Sequence, residues 1–122
     1  MTNQEIVTNF LNGFNNPVQI QESLNSLADD YRFKNPVIEL HSKEEFIALA
    51  KEIAKVLTGI DILHTVENGD WVGTFYEFKS SLPGLETNIA SEWFRLENCV
   101  IQESHLIYDA TEWRKVYTQM SN

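Results

Sequence analysis

The sequence predicts an α+β domain in which one curved sheet wraps around helices. Three observations predict it. Apolar residues follow helical spacing from Ile6 to Leu57 except for one short interruption, then alternate at the strand period from Ile60 onward. Turn signals at Asn68-Gly69, Pro83-Gly84 and Asn98-Cys99 divide the second part into four strands. Helices that precede a long antiparallel meander mark α+β rather than α/β.

Ile6, Val7, Phe10, Leu11 and Phe14 form the first helical stripe, with Thr2 or Asn3 as cap. Asn16 caps a second helix with Pro17 at its first position, and Asp29-Asp30 closes it. Tyr31 and Phe33 alternate with Arg32 and Lys34, a short strand that Asn35-Pro36 breaks. Residues 37–40 make another short strand. Ser42 and Glu45 form a capping box for a helix that carries Phe46, Ile47, Ala50, Ile53, Ala54 and Leu57 and stops at Gly59. Strands follow at 60–66, 71–79, 87–97 and 100–108, and a short helix at 109–117 ends the order.

With 122 residues, the chain suits one domain spanning 1–122. Its net charge of −9 and the lack of a basic run argue against nucleic acid or anionic membrane as partners. No apolar stretch approaches the ~20 residues of a membrane helix. The N-terminal segment lacks the pattern of a signal peptide, so a cytoplasmic location is the expectation. The single cysteine, Cys99, rules out an internal disulfide. No histidine pair has metal-ligand spacing, so no metal is expected, and no glycine-rich phosphate loop or cofactor motif occurs.

Three stretches resemble the nuclear transport factor 2-like superfamily, its SnoaL-like branch in particular. They are the passage 28–36 ending Asn35-Pro36, the strand segment Glu92-Trp93-Phe94-Arg95-Leu96, and 101–109 ending Ile107-Tyr108-Asp109. With the element order, the likeness covers nearly the whole chain. It implies a cone, a curved antiparallel sheet closed by N-terminal helices (the cystatin-like roll). It also implies a small-molecule ligand inside the cone and a homodimer. Fold alone does not give function.

The last hairpin permits a residue-level expectation. If Asn98-Cys99 is a two-residue turn, Leu96 faces Ile101, Phe94 faces Glu103, Glu92 faces His105 and Asn88 faces Asp109. All would lie on the concave face, where the resemblance also puts Glu92, at the position of a ketosteroid isomerase pocket acid. Cβ atoms ~4.5–5.5 Å apart would let Glu92 and His105 hydrogen-bond. The pair reads either as a general base oriented by a carboxylate or as a plain cross-strand ion pair. Asp109 reads either as the acid that SnoaL-like and limonene-epoxide hydrolase-like enzymes carry there or as a helix cap. Asn35 reads as a ligand-orienting amide or a turn residue. The candidate catalytic set is therefore His105, Glu92 and Asp109. The candidate ligand contacts are Asn35, Tyr31, Phe33, Phe10, Phe14, Tyr76, Phe94 and Glu103.

Two known activities fit poorly by resemblance. Ketosteroid isomerases need a helix tyrosine, an aspartate before proline and a pocket aspartate, where this chain has Phe10, Asn35 and Glu92. Epoxide hydrolases need Arg-x-Asp on a strand whose inward positions here are Val72, Thr74, Tyr76 and Phe78. Two readings stay open: cofactor-free acid–base chemistry of isomerase, cyclase or lyase type, and a non-catalytic binding or interaction domain. Ile62, Trp71, Phe75, Trp93, Leu106 and Tyr108 are expected on an outer apolar face suited to a homodimer.

Overall fold

Thr2 opens the first helix, α1 (Asn3–Asn12), with a full capping box. Its hydroxyl accepts from the Glu5 amide at 3.1 Å, and Glu5 Oε1 accepts from the Thr2 amide at 3.0 Å. The computed structural model describes residues 1–120. A 3₁₀ turn at Gly13–Asn15 leads to α2 (Pro17–Leu24), which Asn16 caps. Gly13 permits close approach here, since an added Cβ would lie 1.6 Å from Ser23 Oγ.

The second helix ends at Leu24, before the predicted Asp29-Asp30 stop, and β1 runs over Leu27–Lys34. Leu27 is buried and pairs with Ile101, so sheet pairing overrides its helical spacing. β2 is only Glu39–Leu40. Val37 and Ile38 cannot extend it because Asn35 Oδ1 accepts both of their amides, at 2.8 and 2.9 Å.

Ser42 caps α3 (Lys43–Ala54), while the Glu45 carboxylate reaches the His41 amide instead of closing the box. The helix stops at Ala54, and Gly59 lies within β3 (Leu57–Asn68), paired with Lys79, rather than serving as a helix stop. β4 (Trp71–Ser80) follows a turn at Gly69-Asp70, one residue later than predicted, with Gly69 at φ 62°. β5 (Thr87–Glu97) and β6 (Val100–Tyr108) match their predicted bounds. α4 is Trp113–Met120, not 109–117.

The sheet is six-stranded, in the order β2-β1-β6-β5-β4-β3. It is mixed, because β1 runs parallel to β6 while the other neighbours are antiparallel. It is curved and does not close. Register shifts at Thr58 and Leu63 on β3 and at Gln102 on β6 mark bulges, which bend and twist a sheet. α1 and α3 pack on the concave side, where Val7, Phe10, Phe46, Val72, Phe94 and Ile101 are buried together. On the free edge of β3, Asn15 serves as a substitute strand. Its side chain donates to Ile60 O at 3.0 Å and accepts from Ile60 N at 2.6 Å.

The bulge at Gln102 corrects the predicted pairing. Asn98-Cys99 is the expected two-residue turn, both residues at positive φ (52° and 65°), and Leu96 does face Ile101. One extra residue, Gln102, then moves every later β6 side chain to the other face. Glu92 faces Leu106, and His105 faces Trp93 on the outside. Ser104, Leu106 and Tyr108 point inward, where His105, Ile107 and Asp109 were expected.

Candidate functional site

Glu92 sits near the middle of β5, between Thr74 on β4 and Leu106 on β6. Its neighbours on the concave face, Ala90, Phe94 and Leu96, are all buried. Thr74 Oγ1 donates to the Glu92 carbonyl at 2.8 Å and fixes the backbone beneath the carboxyl group. Tyr76 OH donates to Oε1 at 2.7 Å, and Ser104 Oγ donates to Oε2 at 2.8 Å. With its hydrogen committed to Glu92, Ser104 accepts from Tyr31 OH. The result is a relay from β1 through β6 to β5, with Tyr76 completing it from β4.

Glu92 is only 4% exposed. Burial raises its pKa to about 7, against the opposing hydrogen bonds from Tyr76 and Ser104. Burial also pushes the Tyr31 and Tyr76 hydroxyls well above their ordinary range, with the nearby Glu92 adding to the effect. Both tyrosines therefore remain neutral donors while Glu92 titrates near neutral pH.

Glu92 borders a cavity of about 110 Å³ inside the cone. Phe10, Phe14, Phe33, Phe46, Tyr76, Phe78 and Leu106 form much of its wall. At its other end lie Asn35, Tyr108, Trp113 and Tyr117, two of them brought by α4. Asn35 is buried and has two uses: Oδ1 holds the turn described above, and Nδ2 donates to Tyr117 OH at 3.0 Å. Tyr117 also hydrogen-bonds Tyr108, and burial raises both phenols. Trp113 Nε1 donates to Asn88 Oδ1 at 2.9 Å and Arg114 to the Pro36 carbonyl at 3.2 Å, which seats α4 over this end.

The predicted site residues therefore divide. Glu92, Asn35, Phe33, Phe10, Phe14 and Tyr76 border the cavity. His105 is exposed on the outer face, so no Glu92–His105 pair exists. Glu103 is also outside, bonded to Arg95 at 3.2 Å. Asp109 is exposed and accepts from the Thr111 amide and hydroxyl at 3.0 and 2.8 Å. Those bonds hold its carboxyl below the usual range, as befits a local turn ahead of α4. Tyr31 and Phe94 are buried in the core behind the wall rather than bordering the cavity.

Ser104, Leu106, Tyr108, Trp113 and Tyr117 were not anticipated as inward or cavity residues. One signal was present. Gln102-Glu103-Ser104-His105 is four polar residues in a row, which no alternating strand explains. Among the described residues, no group of His, Cys, Asp and Glu is arranged to hold a metal ion. No helix among them is long and apolar enough to cross a membrane.

No family model and no curated protein matches the sequence. Solved structures do match in three dimensions. An NTF2-like protein of unknown function from Cytophaga hutchinsonii superposes with a TM-score of 0.78 over 93% of this chain and 95% of its own, at 18% identity. The fold is nuclear transport factor 2-like. A proposed isomerase of the SnoaL-like family from Agrobacterium tumefaciens has a TM-score of 0.70 over 89% of this chain and 99% of its own, at 14% identity. A protein with a ketosteroid isomerase-like fold from Catenulispora acidiphila, solved with trimethylamine, has a TM-score of 0.72 over 86% of this chain and 85% of its own, at 14% identity. At these identities the nuclear transport factor 2-like likeness is one of fold.

Proposed function

We propose that this chain is a SnoaL-like protein that binds a small, largely apolar or aromatic molecule in the cavity. Glu92 serves as its acid–base group, without a cofactor, in isomerase, cyclase or lyase type chemistry. One observation carries the reading: a buried carboxyl that titrates near neutral pH opens onto an apolar cavity. An acid with a pKa near the working pH can both give and take a proton. Neutral Tyr76 and Ser104 hold both carboxyl oxygens in place without supplying charge.

Cavity size limits the ligand. The volume, about 110 Å³, is somewhat less than the ~150 Å³ of an apolar cavity that takes benzene. The test is to titrate monocyclic ketones into the protein and follow deuterium uptake at their α-carbons in D₂O. Uptake by the native chain, lost in Glu92→Gln with binding retained, is the expected result. Binding without uptake by the native chain would remove the catalytic reading and leave a binding domain.

The outer sheet face favours a second reading alongside the first, a homodimer. Phe75, Ile89, Trp93 and Ile107 are exposed there among polar neighbours. Gly73 gives the Trp93 indole its seat, since an added Cβ would come within 2.6 Å of the ring. Leu106 and Tyr108, expected on this face, are inside. Ile62 pairs with Tyr76 on the inner side. Sedimentation at micromolar concentration should show a dimer that Trp93→Asp converts to monomer, and a native monomer would remove this reading.

A further inference from the structure

Nine of the chain's fourteen aromatic side chains border the cavity, among them Phe10, Phe46, Tyr76 and Trp113. Among the described residues, no Lys, Arg or His borders it, and Glu92 is its one carboxyl. The wall therefore offers a negative charge and several ring surfaces, and no positive charge. Ring faces carry the negative part of the aromatic quadrupole and attract cations within ~6 Å of the centroid. A buried carboxylate without a counter-ion is costly.

We propose that the ligand of this cavity is a small tertiary or quaternary alkylammonium ion, with Glu92 as its counter-ion and the aromatic wall around its alkyl groups. This rests on the cavity reading above and names its ligand class. Anions are disfavoured, since they would meet Glu92 with no cation to offset it. Primary ammonium ions fit poorly. Such a group brings three N–H donors, while each Glu92 oxygen already accepts a hydroxyl. A quaternary nitrogen brings none and presents only alkyl surface. The cavity volume of about 110 Å³ restricts the ion to about the size of benzene or less.

The pH dependence follows from the ionisable and hydroxyl groups of the cavity wall and of the Glu92 network. β4 presents Tyr76, β6 Ser104 and Tyr108, β1 Tyr31 and α4 Tyr117. α1 and α3 present only apolar side chains such as Phe10 and Phe46. Burial raises all four tyrosines, so of these groups Glu92 is the one whose charge changes near neutral pH.

The test titrates the full chain by NMR with tetramethylammonium, whose charge does not vary with pH, and with tert-butanol, a neutral molecule of similar size. At about pH 8.5 the cation should bind at least ~10-fold more tightly than the alcohol. Its affinity should fall about 10-fold by about pH 6, because an acid with a pKa near 7 is then only about one-tenth ionised. Glu92→Gln should abolish both the preference and the pH dependence. Tyr76→Phe, which removes one hydrogen bond to the carboxylate, should move the midpoint of the pH dependence upward. Equal affinity for the alcohol, or a cation affinity flat in pH, would overturn this inference and leave the cavity reading standing. No binding of either probe to folded protein would overturn both.

Discussion

Glu92 and Trp93 are consecutive in the chain and face opposite sides of one sheet. Glu92 is 4% exposed and bonded by hydroxyls from two other strands, while Trp93 is 39% exposed and rests on Gly73 beside solvent. The same alternation repeats across the sheet on β6, where Ser104 supports Glu92 and His105 is next to Trp93. The two faces thus hold similar polar residues under different dielectric conditions. On the inside the hydroxyls of Tyr76, Ser104 and Tyr31 are committed to the carboxyl network, and burial raises the pKa of that carboxyl. On the outside, Arg95 and Glu103 form a half-exposed ion pair of the kind worth ~0–1 kcal/mol.

The largest consequence of this difference is a pH-dependent stability. The folded-state pKa of Glu92, about 7, lies above its ordinary 4.5, so the folded protein holds this proton more strongly than the unfolded chain does. The contribution is fully present below about pH 4.5 and is lost as pH rises through about 7. A shift of that size corresponds to about 3 kcal/mol. Urea unfolding of native protein and Glu92→Gln across this range should show the native curve falling relative to the variant, then levelling above about pH 8. Parallel curves would show that the inner carboxyl titrates no differently from a solvated one.

The division between the faces was only partly legible in the sequence. Capping residues Thr2, Asn16 and Ser42, the Asn98-Cys99 turn and the bounds of β5 were readable because local chemistry determines each. The inward set Val72, Thr74, Tyr76 and Phe78 was readable because β4 alternates without interruption. The ends of α2 and α3 were not, because Leu27 and Leu57 satisfy helical spacing yet are taken by sheet partners. Gln102 mattered most. A bulge adds one residue and reverses every later side chain, so an otherwise correct turn led to His105 instead of Ser104 as the partner of Glu92. Ile101 and Leu106 both belong to the inner apolar set although they stand an odd number of residues apart. A regular strand cannot place such a pair on one face. The cavity end made by α4 was illegible for another reason, since Trp113 and Tyr117 reach Asn88 and Asn35 only through the tertiary fold.

A smaller effect sharpens the comparison at the bulge itself. Ser104→Ala should leave Tyr31 OH buried without its acceptor and remove one donor from Glu92. The expected cost is about 2 kcal/mol in urea unfolding at about pH 6. His105→Ala, one residue further along β6, removes an exposed ring and should change stability by no more than about 0.5 kcal/mol. Tyr31→Phe added to Ser104→Ala should recover part of the loss, because it removes the hydroxyl left without a partner. That recovery separates a broken hydrogen-bond relay from simple loss of packing, which a second truncation would only worsen. If the two β6 substitutions instead cost the same, the inward turn of Ser104 and the outward turn of His105 would both be wrong, and with them the bulge at Gln102 that assigns the faces.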